Sequence, residues 1–545
     1  MIKTIISSFE ISDIFYLFIT FIILYVAQFY YHYFTRPNRL PGPFPLPILG
    51  NAHQQIGYGF NDWLISLHKK YGDMYELTLA GRRLIVLCKP DLIENMNIPS
   101  SKNKYFFRTH NAVGFAEYGF DGKGIIFNND YESWRYNRQF FTQALMNPSF
   151  NHQAIEWTNE LCNEMESYWN NLEEDHELDL LKWMRRFTNE MIFKIATGTK
   201  NDAIASYYNT LINNNKNSLN KKENEKLKES NNFVESIEIY MGGIIYFYVF
   251  NKFIRQNFLF IRGKVRKLLK NKDYLVDKLY TIVKKRRIEI ENTPLDQPLR
   301  HDMLTAFITA NTPRDINVAK NADDDLSKPM TDKEIFRNIL DAMSAGTDAT
   351  ANLICFVVYY LEHYPEVKQR MRQEFETVLG NDLTKHITHN DLDELEYCDA
   401  VIKETYRHNP IAFFIGRLNV DNDKVGELNW PKGTAFQMLL SVIMKDKNYW
   451  TEPEKFDPDR FYKIEENNEY SLEKENMTNT FHMFGGGIRI CPGRKLAIIE
   501  IKCLLISIYR KYDIELVDKN SPLKYKSVFL NLCKELIIKI KSRKF

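Results

Sequence analysis

Near its C-terminus the chain carries one cysteine in surroundings suited to keeping sulfur charged: Phe484-Gly485-Gly486-Gly487-Ile488-Arg489-Ile490-Cys491-Pro492-Gly493. Only a thiolate is a good sulfur ligand for a metal. A thiol taken out of water resists ionising, so a ligand cysteine needs backbone N–H groups or positive charge close by. This stretch supplies both. Gly485, Gly486, Gly487 and Gly493 let the backbone turn tightly and approach the sulfur, Arg489 can pair with an anionic group, and Phe484 is expected to pack against the sulfur. A buried structural cysteine in a glycine turn is the plainer reading of a lone Cys, and the rest of the chain decides between them.

Other side chains stand at spacings that suit a shared task. Trp134 and Arg138 stand four apart on one side of a helix. An indole N–H and a guanidinium projecting together suit a carboxylate, although the same spacing also serves a surface stacking pair. Glu404 and Arg407 lie three apart, an ion-pair spacing that a chain of this length holds about once by chance. Ala345-Gly346-Thr347-Asp348-Ala349-Thr350 sits in a long apolar run opened by the capping-box pattern Thr331-Asp332-Lys333-Glu334. Small residues in mid-helix let another group approach the backbone.

The pattern Phe-x-x-Gly-x-Arg-x-Cys-x-Gly resembles that of the cytochrome P450 family, the haem-thiolate monooxygenases. All five fixed positions match, which ordinary residue frequencies give by chance with a probability on the order of 10⁻⁴, and the other motifs follow in family order from Leu40 onward. The resemblance implies that Cys491 is the axial ligand of the iron of haem b (iron protoporphyrin IX). It implies that Trp134, Arg138, Arg417 and Arg489 hold the propionates, with Phe484 and Gly493 completing the cofactor-binding loop. It further implies a buried structural triad of Glu404, Arg407 and Arg460, the last within Phe456-Asp457-Pro458-Asp459-Arg460-Phe461. Buried charges need mutual pairing, so loss of one member is expected to be severe. In the family the helix carrying Asp348 crosses the haem face where oxygen binds and bears an acid followed by threonine. Here Asp348 supplies the acid and Ala349 stands in the threonine's place. Asp348 is the expected proton relay; Thr350 is a second catalytic candidate if a π-bulge at Gly346 turns it inward, because consecutive helical residues point ~100° apart.

Around these residues the resemblance implies a mostly α protein with a small β-rich domain, the haem buried between the long central helix and the cysteine loop. The catalytic unit is expected over residues 51–545, because no Pro/Ser/Gly-rich linker divides the sequence. Hydrophobic residues make up 44% and aromatics 14%, which fits a large interior around a flat apolar cofactor rather than disorder. A formal charge of +2 argues against nucleic acid as a partner. Seven scattered cysteines without a CxxC pair suggest neither a disulfide framework nor a zinc site, and point to a reducing compartment.

Residues 14–35 contain no Asp, Glu, Lys or Arg, and 22 residues at ~1.5 Å each cover a ~30 Å hydrocarbon core. The run is too long for a cleaved signal peptide, so residues 1–35 read as a single-pass anchor. Arg36 and Arg39 follow it, which by the positive-inside rule puts the body in the cytosol; the resemblance implies the endoplasmic reticulum. Residues 36–50 hold Leu40-Pro41-Gly42-Pro43-Phe44-Pro45-Leu46-Pro47, a stiff segment. An SH3-type ligand and a hinge behind the anchor are its two readings, and its position resembles the hinge. A β-hairpin is expected at residues 75–79 and 84–87, and a long aperiodic loop over 106–127, which by resemblance covers the substrate pocket. A mobile low-complexity insertion is expected at 213–232, and a core helix or a second membrane-contacting element at 240–250. Residues 262–287 read as a surface helix, and Asp323-Asp324-Asp325 as a solvated loop.

The resemblance implies that one atom of O2 is inserted into a lipophilic small molecule. Electrons would come from NADPH through NADPH-cytochrome P450 reductase, with cytochrome b5 as a further donor, since the chain has no nucleotide-binding motif. A thiolate ligand pushes electron density onto iron and favours O–O cleavage. The reductase is expected to dock on Arg135, Arg494, Lys495 or Lys502. Two rivals take their motive from Ala349: a haem-thiolate isomerase or dehydratase acting on a peroxide without reductase, and a non-catalytic haem-binding sensor. The intact Phe484 and Arg489 speak against the first. Phe115, Phe120, Ile411 and Phe413 are pocket candidates that specify only an apolar substrate.

Overall fold

The computed structural model describes residues 11–55, 57–97, 104–108, 114–146, 148–172, 176–212, 221–316, 328–463 and 470–543. The acidic loop Asp323-Asp324-Asp325 lies outside them, as do residues 213–220 of the expected insertion.

Helix α1 (Ile11–Thr35) is apolar on every side, and none of Ser12–Thr35 is buried within the protein. The 24 residues Ser12–Thr35 reach ~36 Å, enough to cross a membrane. The proline-rich segment that follows is strapped to the body. Tyr30 stacks on Phe44 at 5.2 Å, Glu76 N–H donates to Pro41 O at 3.0 Å, and Arg36 and Arg83 both pair with the Glu76 carboxylate.

Glu76 belongs to β1 (Met74–Leu79), which pairs antiparallel with β2 (Arg82–Leu87). Ala80 and Gly81, at φ +51° and +72°, make the two-residue turn whose twist suits a hairpin. Further along, β4 (Phe414–Leu418) and β5 (Ala435–Leu439) complete a four-stranded sheet in the order β1-β2-β5-β4. This small domain has its own core of Trp63, Leu64, Tyr75, Val86, Phe413 and Leu439.

The helical body is built on two central helices. Helix α3 (Leu180–Thr197) is buried on nearly all sides, with Arg186, Asn189 and Glu190 buried beside its apolar residues. Helix α6 (Asp332–His363) starts with Thr331, whose hydroxyl accepts from Glu334 N–H while Glu334 returns a bond to Thr331 N–H. The two pack closely at Gly346, where a Cβ would meet Ile192 Cγ1 at 2.9 Å. Thr188 Oγ1 donates across the contact to Thr347 O at 2.8 Å.

Over these lie α2 (Tyr131–Met146), α4 (Lys221–Val249) and α5 (Leu259–Asn292). The mobile insertion expected at 213–232 is corrected over its described part, since residues 221–232 form the first turns of α4. The Glu- and Lys-rich composition is helix-forming as well as polar. Ion pairs Lys226–Asp202 and Lys278–Glu229 with the buried Ser230 and Phe233 fix it in place. At the other end of α4, Tyr240, Ile244 and Phe247 are buried at helical spacing, so of the stretch 240–250 all but Phe250 is helix facing the core. The expected surface helix over 262–287 lies within α5, its Val265, Leu268, Leu275, Leu279 and Val283 turned inward.

The C-terminal part supplies α7 (Glu396–His408), α8 (Ser471–Thr480) and α9 (Arg494–Lys511). A second sheet joins β3 (Glu177–Asp179), β6 (Tyr512–Leu516) and β9 (Ile537–Ser542) in the order β3-β9-β6. The hairpin of β7 (Tyr525–Ser527) and β8 (Asn531–Cys533) is tied to α6 by Cys533 N–H, which donates to Asn352 Oδ1 at 2.6 Å.

Candidate functional site

Leaving α8, the chain turns through Phe484 and comes back on itself, so that Cys491 N–H donates to Phe484 O at 2.9 Å. Gly485 and Gly487 take φ of +73° and +65°, the left-handed region that favours glycine. Gly493 has a different part. Its φ is −85°, it caps α9, and its amide N–H supports the Cys491 sulfur. Of the seven cysteines, six are buried and Cys491 alone is partly accessible. Its thiol pKa lies above the ordinary value because burial outweighs the Gly493 N–H and then Arg138, Arg108 and Arg494, which pull it down. The amide and these cations are the groups that favour the thiolate, the form of sulfur that ligates a metal.

Four arginines converge on this loop. Arg138 on α2 donates to Ile490 O at 2.6 Å, and Arg108 reaches Arg489 O at 3.5 Å. Arg489 is sandwiched over the rings of Phe106 and Trp134, 4.2 and 4.6 Å from their centroids. It donates to the carbonyls of Phe106, Ile125 and Asn128, which leaves two of its five N–H groups for another acceptor. Arg417 on β4 is buried and bonds the neighbouring Gly416 O at 3.1 Å. Trp134 is buried beneath them.

No carboxylate among the described residues forms an ion pair with any of the four. Burial, reinforced by mutual repulsion, pulls Arg417 down to about 9, and Arg489 well below its ordinary value. Burial likewise pulls Arg138 down to about 10, the attraction of Cys491 notwithstanding. Guanidinium groups keep their proton at physiological pH, so an anion is what relieves such a cluster. The residues therefore fit a haem: four cations suit its two propionates and one sulfur suits its iron. Arg108 escapes sequence reasoning because a lone Arg in an aromatic loop, far from its partners in the chain, has no diagnostic spacing.

Beneath the loop, Glu404, Arg407 and Arg460 come together, all fully buried. Arg407 grips Glu404 through Nε and Nη2 at 2.7 and 2.9 Å, and donates to the carbonyls of Met444 and Pro453. Burial pushes the Glu404 carboxyl up, but the Arg407 hydrogen bonds and charge, with His408, outweigh it and hold the group at about 2. A fourth member went unread in the sequence. Glu473 of α8, also fully buried, pairs with Arg460 Nη1 at 2.7 Å.

Opposite in function is the face of α6. Between Leu340 and Leu353 only Ala345, Gly346 and Ala349 are accessible. The helix is α throughout and lacks the π-turn that would swing Thr350 inward; Thr350 is buried. Asp348 is buried and paired with Arg185 of α3 at 3.0 Å, and Arg185 also pairs with the exposed Glu238 at 3.1 Å. Burial pushes the Asp348 carboxyl up and Arg185 pulls it back. Phe115 and Phe120 are buried against Phe127, Tyr240 and Tyr248, and they share the main core with Ile411. Phe413 belongs instead to the core of the β-rich domain, packed on Phe60 and Phe414.

The cytochrome P450 family profile matches residues 40–540. The chain is similar to rabbit (Oryctolagus cuniculus) cytochrome P450 3A6, 26% identical over 535 residues, covering 96% of this chain and 95% of that protein. It is 24% identical over 537 residues to lithocholate 6-beta-hydroxylase of Mesocricetus auratus, covering 96% and 95%. To cytochrome P450 2H1 of Gallus gallus it is 25% identical over 483 residues, covering 88% of each. A match spanning the cysteine loop, both arginine networks and the central helix leaves one conclusion: the chain belongs to the cytochrome P450 family and is a haem-dependent monooxygenase.

Proposed function

We propose that the protein inserts one atom of O2 into a lipophilic small molecule, using electrons passed from NADPH by a separate flavoprotein, NADPH-cytochrome P450 reductase, with cytochrome b5 as a second donor. The observation that carries this reading is the set of four arginines with no carboxylate partner among the described residues, gathered around the one accessible cysteine. Cys491 would ligate the iron of haem b, and Arg108, Arg138, Arg417, Arg489 and Trp134 would receive its propionates. When bound, haem with a thiolate ligand supplies the electron-rich iron that favours O–O cleavage.

The chain's own residues do the rest. Ala345 and Ala349 keep α6 flat where substrate and oxygen must share space. Asp348 is the acid beside the accessible Ala349, and its pair with Arg185, which in turn pairs with the exposed Glu238, leads from it to the surface, a route for proton supply. Phe115 and Phe120 exclude water from above. Arg135, Arg494 and Lys495 offer positive charge to an acidic electron donor. Lys502 is withdrawn from that face, because it is buried and donates to Leu392 O at 2.9 Å. The body would lie on the cytosolic side of the endoplasmic reticulum membrane, hung from α1.

The test is Cys491→Ala in the full chain. The reduced carbonyl spectrum is expected to lose the long-wavelength Soret band that thiolate gives, while most of the fold survives, because the ligand is one contact among many. Retention of that band would refute the assignment. Substrate-dependent NADPH consumption with purified reductase, beside a peroxide assay without it, separates monooxygenation from isomerase or dehydratase action.

A further inference from the structure

We infer that Glu473, on the helix that runs into the cysteine loop, is a positioning residue that balances the buried charge beneath the iron ligand. The proposal rests on the reading of Cys491 as that ligand.

Arg407, Arg460 and Glu404 by themselves would bury two positive charges against one negative. An uncompensated buried charge is among the most destabilising things a core can hold. Glu473 supplies the missing negative charge, and the nearby pair Asp457–Lys455, at 2.8 Å, is neutral on its own. The geometry shows that this is more than proximity. Arg460 approaches Glu404 at 3.4 Å through Nε, yet that Nε has no hydrogen-bond acceptor among the described residues. Its hydrogen bond to a carboxylate is the one from Nη1 to Glu473, at 2.7 Å. The same carboxylate accepts from Thr451 N–H at 2.7 Å and from Thr451 Oγ1 at 3.3 Å. Tyr470, one residue before α8, stacks against the Arg460 guanidinium, 5.0 Å from ring centroid to Cζ, and donates to Asp457 at 2.7 Å.

Glu473 therefore fastens the start of α8 to the arginine network, and the end of α8 passes directly into the loop. Phe481, the residue after the helix, packs on Phe461 at 4.8 Å and on Trp450 and Tyr406 beyond it. Three residues later comes Phe484, whose carbonyl holds Cys491 N–H. A displaced Glu473 would act on the cysteine through this short rigid path.

The experiment is a charge cycle in the full-length protein: Glu473→Gln, Glu473→Asp, Arg460→Gln, and the double variant Arg460→Gln/Glu473→Gln, which is neutral again. Thermal midpoint and the share of haem giving the thiolate-type carbonyl band are read together. Glu473→Gln is expected to lose about half or more of that band, the cost of a buried charge left unpaired, and to lower the midpoint. Glu473→Asp should keep most of the band, and the double variant should exceed both single Gln variants in both readouts. The proposal is overturned if Glu473→Gln matches wild type, if Asp is as damaging as Gln, or if the double variant is worse than either single one. Should Glu473→Gln yield no recoverable protein, Arg460→Gln against the double variant decides. A wild type lacking the thiolate band would refute the cysteine assignment instead, and the cycle would then be judged on midpoints alone.

Discussion

Ala349 occupies the accessible face of α6, one turn from Ala345, where the family pattern has a hydroxyl. General acid catalysis depends on a proton within hydrogen-bond reach, and neither Ala349 nor the buried Thr350 provides one on that face. Ala349→Thr is accordingly expected to lower the peroxide released per NADPH consumed, if the native substrate carries no hydroxyl of its own at that point. A substrate that does carry one would clash with the added side chain, and turnover would stop. Peroxide and product measured together in both proteins tell these apart, and no change in either would show that proton delivery bypasses position 349. Glu404 gives a second prediction at this scale. Its folded carboxyl titrates at about 2 against an ordinary 4.5. A depressed pKa contributes stability that is fully present above pH 4.5 and lost as pH falls toward 2, here about 3 kcal/mol. Thermal midpoints taken from pH 6 to 3 should fall steeply below 4.5 in wild type. Glu404→Gln should start lower and fall less; parallel curves would show that other carboxylates govern acid unfolding.

At the scale of elements, what the sequence disclosed was what local spacing can encode. The Thr331 capping box, the hairpin closed at Ala80 and Gly81, and the unbroken apolar helix α1 all depend on residues within a few positions of one another. Arg108 and Glu473 depend on partners hundreds or tens of residues away, so nothing nearby marked them. The start of α4 was misread because a polar stretch looks alike whether it is solvated coil or the exposed face of a helix fixed by ion pairs from α5. The membrane-contact question at 240–250 has a related answer. Tyr240, Ile244 and Phe247 point inward, while Phe253, Phe258, Leu259 and Phe260, just beyond, are 55–97% exposed. Burying each such side chain is worth about 1.5–3 kcal/mol. Deletion of residues 1–35 is therefore expected to leave part of the protein on membranes. Adding Phe258→Ser, Leu259→Ser and Phe260→Ser should release the remainder. A truncated protein that is fully soluble with the patch intact would show that this patch does not reach lipid.

For the whole molecule, the division of labour is between two cores and one strap. The β-rich domain packs on its own residues around Trp63 and Phe413, and the proline-rich segment fixes α1 to it through Glu76. The end of α1 is thus tied to the β-rich domain by one buried carboxylate, two arginines and the Tyr30–Phe44 stack. The cysteine loop, by contrast, gathers Arg108, Arg138, Arg417 and Arg489, and among the described residues no carboxylate forms an ion pair with any of them. A chain built this way is incomplete as translated. Whatever binds the folded form and not the unfolded one adds its binding free energy to stability, and here the ligand also removes an electrostatic burden that the polypeptide cannot discharge alone. The amount of this protein in a cell would then follow the supply of haem through turnover of the unliganded chain, with no change in its rate of synthesis.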